Sequence, residues 1–293
     1  MQLALIAARP TPTNSGLCRA LIGDAAWQEM TPQAALEVLR PGDGALGRLD
    51  VSPTLDGMDD GLWALGALAA RGVHVLNGPA ALLATHDKLL TARILRRQAI
   101  AHPRTMHVRD GRIPPRFVAP VVLKPRFGSL GNEVHRCDEP GVFLETLQRL
   151  SETPWFQRHG ALAQELVTPQ GYDLRLIVAM GRVIGAVHRI AAPGEWRTNI
   201  NLGATREAVE DPPARAVTLA IAAARASGAA LVGVDLLPTV DGGWVVLELN
   251  GAVEFTSVYA EWFDVFSEAA LLLEAAVSER RRLSGWRALS ATG

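Results

Sequence analysis

Near the C-terminal end, two apolar runs, Leu231-Val232-Gly233-Val234-Asp235-Leu236-Leu237 and Trp244-Val245-Val246-Leu247-Glu248-Leu249-Asn250, flank Pro238-Thr239-Val240-Asp241-Gly242-Gly243. Runs of that composition around Asp-Gly read as a β-hairpin, because Asp-Gly supplies the positive φ angles of a two-residue turn. With Asp241-Gly242 as the turn, Asp235 pairs with Glu248, and the two carboxylates stand opposite each other roughly 5 Å apart. Alternation then places Trp244, Val246, Glu248 and Asn250 on one face, and Val245, Leu247 and Leu249 on the other. Like charges so placed repel unless a cation or a shared proton lies between them. Two carboxylates and an amide oxygen are hard ligands suited to Mg²⁺. A longer turn would change the register and leave two ordinary surface acids, so the hairpin alone leaves both readings open.

The chain has 293 residues and 29 basic side chains, of which only Lys88 and Lys124 are lysines. A lysine ammonium meets a phosphate as a compact point charge, where arginine offers a planar fork. Lys124 closes the run Val121-Val122-Leu123 and precedes Gly128-Ser129-Leu130-Gly131. Lys88 opens a helical stripe of Leu90, Ile94 and Leu95, with Thr85 read as the N-cap and Asp87 in the first turn. Both point to nucleotide phosphates; the bland alternative is a preference for arginine codons with two lysines left over.

A net charge of -1 argues against an extended nucleic-acid footprint. No apolar run is long enough to cross a bilayer, and residues 1–8 read as a strand, not a signal peptide. Cys18 and Cys137 define no disulfide framework or thiolate metal site, and the seven histidines show no metal-ligand spacing. The expected compartment is the cytoplasm. Short strands at 2–8, 48–51 and 73–76 alternate with helices at 17–22, 32–39 and 61–70, which predicts a small open α/β unit. A proline-rich passage, 104–118, reads as a boundary. Beyond it come a strand at 118–124, the glycine loop, a helix near 141–150 and a strand at 161–167. A hairpin at 175–190 turning at Gly181, an alanine-rich helix at 214–226, the acidic hairpin and a terminal helix at 262–283 complete the chain. Arg175, Arg189 and Arg197 alternate with β residues, and Asn199 and Asn201 follow at even spacing, so the last three can share a strand face. Such arginines grip carboxylates or phosphates, although a stretch like this is more often a solvated sheet face. Asp173 in isolation is a routine turn acid.

In chain order, His86-Asp87-Lys88, Val122-Leu123-Lys124-Pro125 with its glycine loop, Gln164-Glu165-Leu166-Val167, Gly171-Tyr172-Asp173-Leu174-Arg175, Arg189 followed by Trp196-Arg197-Thr198-Asn199, Gly233-Val234-Asp235 and Leu247-Glu248-Leu249-Asn250 carry a resemblance. Together they resemble the ATP-grasp superfamily, specifically its RimK-like amino-acid ligases. The resemblance implies an α/β (α+β) ATP-grasp fold: a leading small α/β domain (1–84), a central lid subdomain with the glycine loop (85–165) and a C-terminal mixed-sheet core (166–293). It implies that Lys88 and Lys124 grip ATP phosphates under Gly128, Ser129 and Gly131. Gln164, Glu165, Leu166 and Val167 then lie at the adenine hinge, with Asp173 nearby. Arg197, Thr198 and Asn199 meet nucleotide and substrate; Arg175, Arg189, Asn201 and Glu254 face substrate; Asp235, Glu248 and Asn250 hold Mg²⁺ or Mn²⁺. Lys124 and Arg189 are the implied catalytic pair. The implied reaction joins a carboxylate to an amine through an acyl phosphate, releasing ADP and phosphate. Glutamate or a related amino acid and a protein, peptide or small-molecule acceptor are the implied partners, with a dimer or tetramer of the chain.

Three departures fall on the substrate side or the glycine loop. Glu133 stands where many relatives have a further glycine. Asn201-Leu202-Gly203-Ala204 replaces a frequent His-Arg-Gly-Gly, so one substrate-facing arginine is absent. Gly251-Ala252-Val253-Glu254-Phe255 follows Asn250 in place of a small residue and Pro-Gly. The Glu-Phe pair is similar to the LysX branch, which acts on a carrier protein's terminal glutamate in lysine or arginine biosynthesis. The competing readings are therefore a LysX-like ligase, a coenzyme glutamate ligase, and a nucleotide-binding regulator without catalysis.

Overall fold

The computed structural model describes residues 1–22, 25–51, 60–109 and 119–290. The chain opens with β1 (Leu3–Ile6), α1 (Pro12–Arg19), β2 (Leu21–Ile22), β3 (Ala25–Met30), α2 (Pro32–Val38), β4 (Gly44–Gly47), α3 (Asp60–Ala70) and β5 (His74–Leu76). These strands form one sheet in the order β2-β3-β1-β4-β5, with β3, β1, β4 and β5 parallel. A parallel sheet covered on both faces needs strands that are apolar throughout, and all four residues of β1 are buried. Ala4 and Ile6 pack with Leu62, Leu65 and Leu68 of α3; Leu3 and Leu5 face the opposite cluster. Thr11 and Thr31 cap α1 and α2 through their side chains, each followed by proline at the first helical position.

Two of the expected elements move. The predicted strand at 48–51 lies at Gly44–Gly47 instead, and the predicted helix at 17–22 starts at Pro12. The Thr-Pro-Thr-Asn-Ser-Gly composition that suggests a turn is a capped helix start. Strand β3, Ala25–Met30, carries no clear alternation and was not anticipated. Pro114 and Pro115 lie outside the described residues.

Helices α4 (Pro79–His86) and α5 (Lys88–Arg97) lead to a four-stranded antiparallel sheet. It contains β6 (Thr105–Val108), β7 (Val121–Pro125), β8 (His135–Cys137) and, after α6 (Pro140–Ser151) and α7 (Pro154–His159), β9 (Ala161–Glu165), in the order β6-β9-β7-β8. The third sheet is antiparallel, in the order β12-β11-β10-β13-β14: β10 (Tyr172–Ala179), β11 (Arg182–Ile190), β12 (Thr205–Ala208), and β13 (Leu231–Pro238) and β14 (Trp244–Asn250) after α8 (Ala214–Ser227). The long α9 (Val265–Ser290) closes the chain. Ala216, Ala220, Ala223 and Ala224 form the buried stripe of α8, at helical spacing, against Leu174, Leu176, Val178, Val232, Val234 and Leu236.

The acidic hairpin reaches the expected pairing by an unexpected route. Its loop is not the two-residue Asp241-Gly242 turn. Residues 239–243 form it, with Thr239 N–H donating to Gly243 O and Gly242 N–H to Thr239 O, each at 3.0 Å. Pro238 pairs with Trp244, Leu237 with Val245 and Leu236 with Val246; the register then slips at Leu247, and Asp235 pairs with Glu248. The longer loop and the bulge cancel. The bulge also corrects the face assignment: Val246 joins Leu236 and Leu249 in the α8-side core, and Trp244 packs against that core, while Glu248 stands beside Asp235.

Candidate active site in the cleft between the second and third sheets

A cleft is lined from the second sheet by Lys124 and Gln164, from the start of α5 by Lys88, from the glycine loop by Gly128, Ser129 and Gly131, and from the third sheet by Asp173, Arg189 and Glu248. Leu166 and Val167 border it where β9 passes toward β10.

Lys124 Nζ donates to Gln164 Oε1 at 2.7 Å, and Gln164 Nε2 donates to Thr105 Oγ1 at 2.8 Å. The chain of bonds crosses three adjacent strands, because Val122 and Thr105 both pair with Gln164. Burial pushes the Lys124 ammonium down to about 8; Glu248 opposes the shift and Lys88 adds to it. Lys88 is the first residue of α5, and Asp87, not Thr85, is that helix's N-cap. Thr85 belongs to α4 and donates its hydroxyl to Ala81 O at 2.9 Å. Asp87 Oδ1 accepts from Leu89 N at 3.0 Å and Leu90 N at 3.3 Å, while its two oxygens grip the Arg126 guanidinium at 2.8 and 2.5 Å. One buried carboxylate thus ties the helix that carries Lys88 to the end of the strand that carries Lys124.

The glycine loop is held at both ends by cations that face the cleft. Lys88 Nζ donates to Gly128 O, and Arg197 Nη1 donates to Gly131 O at 3.1 Å. Arg197 is itself forked onto Glu195 at 3.0 and 2.8 Å, and this bonding pulls the Glu195 carboxyl down to about 2. Gly131 has φ +72, and a Cβ there would lie 2.6 Å from Asn199 Oδ1. Glu133 has φ 55, a conformation that favours glycine, and its carboxylate lies 3.2 Å from His135 Nε2.

On the third sheet, charged residues face one another across four strands. Asp173 stands opposite Arg189, Arg175 opposite Asp235, and Asp235 opposite Glu248. Arg175 Nε and Nη2 donate to the two Asp235 oxygens, each at 2.6 Å, and Arg189 Nη2 donates to Asp235 Oδ2 at 2.8 Å. Arg189 also forks onto Asp173, with Nε–Oδ1 at 2.7 Å. Thr198 donates its hydroxyl to Asp173 at 2.5 Å. Asp173 and Asp235 have no exposed surface. Burial alone would raise Asp235; the guanidinium of Arg175, then that of Arg189, overcome it and hold the carboxyl below its ordinary value.

Among the described residues, no three His, Cys, Asp or Glu side chains form a metal-holding group. The expected set has two acids and an amide. Asn250 Nδ2 is buried without a hydrogen-bond partner, which a cation taking the other end of that amide would accommodate only after the amide oxygen turns inward. The Glu248 side chain accepts no hydrogen bond and forms no ion pair within 4 Å among the described residues, although it acts on Lys124 through space. A carboxylate offers about four acceptor positions, and three at Asp235 are filled by arginine N–H groups. The set therefore fits Mg²⁺ with Glu248 as its freest ligand, Asn250 beside it and one position left on Asp235.

Against known proteins, the RimK-like ATP-grasp domain matches residues 85–262. This chain belongs to the RimK-like ATP-grasp family. Among its relatives, a probable alpha-L-glutamate ligase of Aeromonas salmonicida is 31% identical over 191 residues, 63% of this chain and 62% of the relative. A probable alpha-L-glutamate ligase 2 of Pseudoalteromonas atlantica is 33% identical over 191 residues, 62% of this chain and 60% of the relative. The matched part thus spans about three fifths of the length of these curated relatives. Among solved structures, a RimK domain protein from Sphaerobacter thermophilus superposes with a TM-score of 0.66 at 21% identity, covering 93% of this chain and 100% of that one. The ATP-grasp ligase PsnB, complexed with its minimal precursor, gives 0.69 at 19% identity over 94% and 99%. D-alanine–D-alanine ligase from Bacillus anthracis gives 0.70 at 15% identity over 97% and 99%. The fold is ATP-grasp.

In this RimK-like ATP-grasp chain, most residues singled out in the sequence converge on the cleft, including Glu165, Arg197, Thr198 and Asn199. Five do not line it: Arg175, Asn201, Asp235, Asn250 and Glu254. Arg175 is bound to Asp235, and Asn201 is exposed in a 3-10 turn. Glu254 docks on the start of α1 and on the residue after β4, accepting from Thr11 Oγ1 at 2.9 Å, Thr13 N at 3.3 Å and Arg48 Nη2 at 2.8 Å. Sequence reasoning missed Thr105, Arg126 and Glu195. Arg126 lies two residues after Lys124, a same-face spacing that could have marked it; Thr105 and Glu195 carried no such signal.

Proposed function

We propose that the chain is an ADP-forming carboxylate–amine ligase. The observation that carries the reading is one cleft in which two lysines and a glycine loop face an acidic hairpin. Lys88 and Lys124 offset charge on the ATP phosphates, and the loop's backbone N–H groups cover them. A substrate carboxylate oxygen attacks the γ-phosphorus, the bond to the ADP oxygen breaks, and ADP leaves. The amine nitrogen then attacks the acyl carbon, loses a proton, and phosphate departs as the amide forms. Arg189, at the cleft wall, stabilises the negative charge that develops on the acyl group. Glu248, Asn250 and Asp235 would hold Mg²⁺, which would supply neutralisation of phosphate charge. Glutamate is the favoured amino acid, supported by the relatives named above; a peptide acceptor is supported by the precursor peptide with which PsnB is complexed in a further solved structure.

A phosphate-release screen over amino acids, crossed with acceptor peptides and cofactors, tests the reading. Lys124→Ala and Glu248→Gln each abolish ADP formation while circular dichroism shows a folded protein. Normal turnover in either variant would overturn the assignment. A regulator without catalysis would instead bind ATP and release no phosphate with any amine.

A further inference from the structure

We infer that Arg175 is a positioning residue that makes divalent-cation binding at Asp235 conditional on nucleotide. The inference rests on the ligase reading, in which Asp235 belongs to the cation set. Arg175 and Asp235 are direct cross-strand partners on β10 and β13, so their side chains rise from the same sheet face. Its Nε and Nη2 are both engaged by Asp235 at 2.6 Å, and the Arg175 side chain is 15% exposed. It does not border the cleft.

Arg189 divides its bonds between Asp173 and Asp235, whereas the Arg175 side chain bonds Asp235 alone. If Arg189 lets go of Asp235, Asp173 still holds it; Arg175 has no such second anchor. The local charges also balance. Asp173, Asp235 and Glu248 face Arg175, Arg189 and Lys124. A bare divalent cation entering this set meets no excess negative charge and two fixed guanidinium groups. Cation affinity at oxygen sites follows the charge count of the ligands. A cation that arrives on a triphosphate brings the missing negative charge with it. Arg175 thereby keeps Asp235 ordered in the absence of ligand while withholding it from free metal.

Removing the Arg175 charge should leave Asp235 and Glu248 under-neutralised, so that they take a cation by themselves. The test is Mn²⁺ titration of the full chain, followed by electron paramagnetic resonance of free Mn²⁺, with and without ADP. Wild type should bind Mn²⁺ weakly alone and at least roughly tenfold more tightly with ADP. Arg175→Met should bind Mn²⁺ without ADP at least roughly tenfold more tightly than wild type, and Arg175→Lys, which keeps the charge, should stay within about threefold of it. Arg175→Met with unchanged or weaker Mn²⁺ affinity overturns the inference, provided that wild type binds ADP. Wild type that binds no ADP or ATP overturns the ligase reading itself. Should Arg175→Met fail to fold, wild type decides alone: Mn²⁺ held as tightly without ADP as with it overturns the role given to Arg175.

Discussion

Lys124 shows how a single residue's surroundings set its chemistry. Its ordinary value is 10.5, and burial brings it to about 8. For a base the sign is unfavourable: below about 8 the folded protein carries a buried charge, and that penalty fades as pH rises toward 10.5. A phosphate beside Lys124 reverses the penalty by favouring the ammonium. Nucleotide binding should therefore take up a proton at about pH 9 and almost none at about pH 6. Calorimetry in two buffers of different ionisation enthalpy measures this; equal heats in both at about pH 9 would refute it. The two lysines stand out in the sequence by their rarity. Their burial and bonding do not, because Gln164 and Asp87, which hold Lys124 and the helix of Lys88 in place, approach from other parts of the fold.

At the scale of elements, the glycine loop and the loop carrying Arg197 act on each other. Gly131 combines φ +72 with an approach of 2.6 Å between its would-be Cβ and Asn199 Oδ1. Gly131→Ala should raise the KM for ATP at least about tenfold, from left-handed strain of about 1 kcal/mol or more and from displacement of Asn199. Asn199→Ala removes the collision but not the strain. A double-mutant cycle on ATP affinity should thus show coupling of about 1 kcal/mol between the positions; strict additivity would mean that the loops do not touch in the working enzyme. The acidic hairpin carries a related lesson. Period-two reasoning paired Asp235 with Glu248 and misplaced Trp244 and Val246, because a loop of residues 239–243 and a slip at Leu247 offset each other. Turn propensity favours Asp-Gly locally, but burial of Val246 against the α8 face selects the bulged register.

The molecule as a whole depends on joints between its sheets. Asn77, at φ 46, donates to Leu231 O at 2.7 Å and Gly251 O at 3.2 Å, and accepts from Ala230 N at 2.7 Å and Leu231 N at 3.3 Å. This one side chain clips the end of β5 to the start of β13 and to the residue after Asn250. Asn77→Ala strands these buried backbone groups and should cost about 2–4 kcal/mol. Chemical denaturation reads that loss directly, and an unchanged midpoint would remove Asn77 from the joint. Glu254 with Arg48 forms a second joint, which explains why a residue expected at substrate is found bridging to α1. From the sequence alone came the α/β character, the two rare lysines, the glycine loop, and the alternation that puts Glu248 with Asn250. Those follow from composition and from the twofold repeat of a strand, which are local. Tertiary structure decided which partner each charge takes: Arg175 for Asp235, Arg189 for both aspartates, and Glu254 for Arg48. Those pairings join residues far apart in the chain, and only the packed sheets, which exclude water from the aspartates, bring them together.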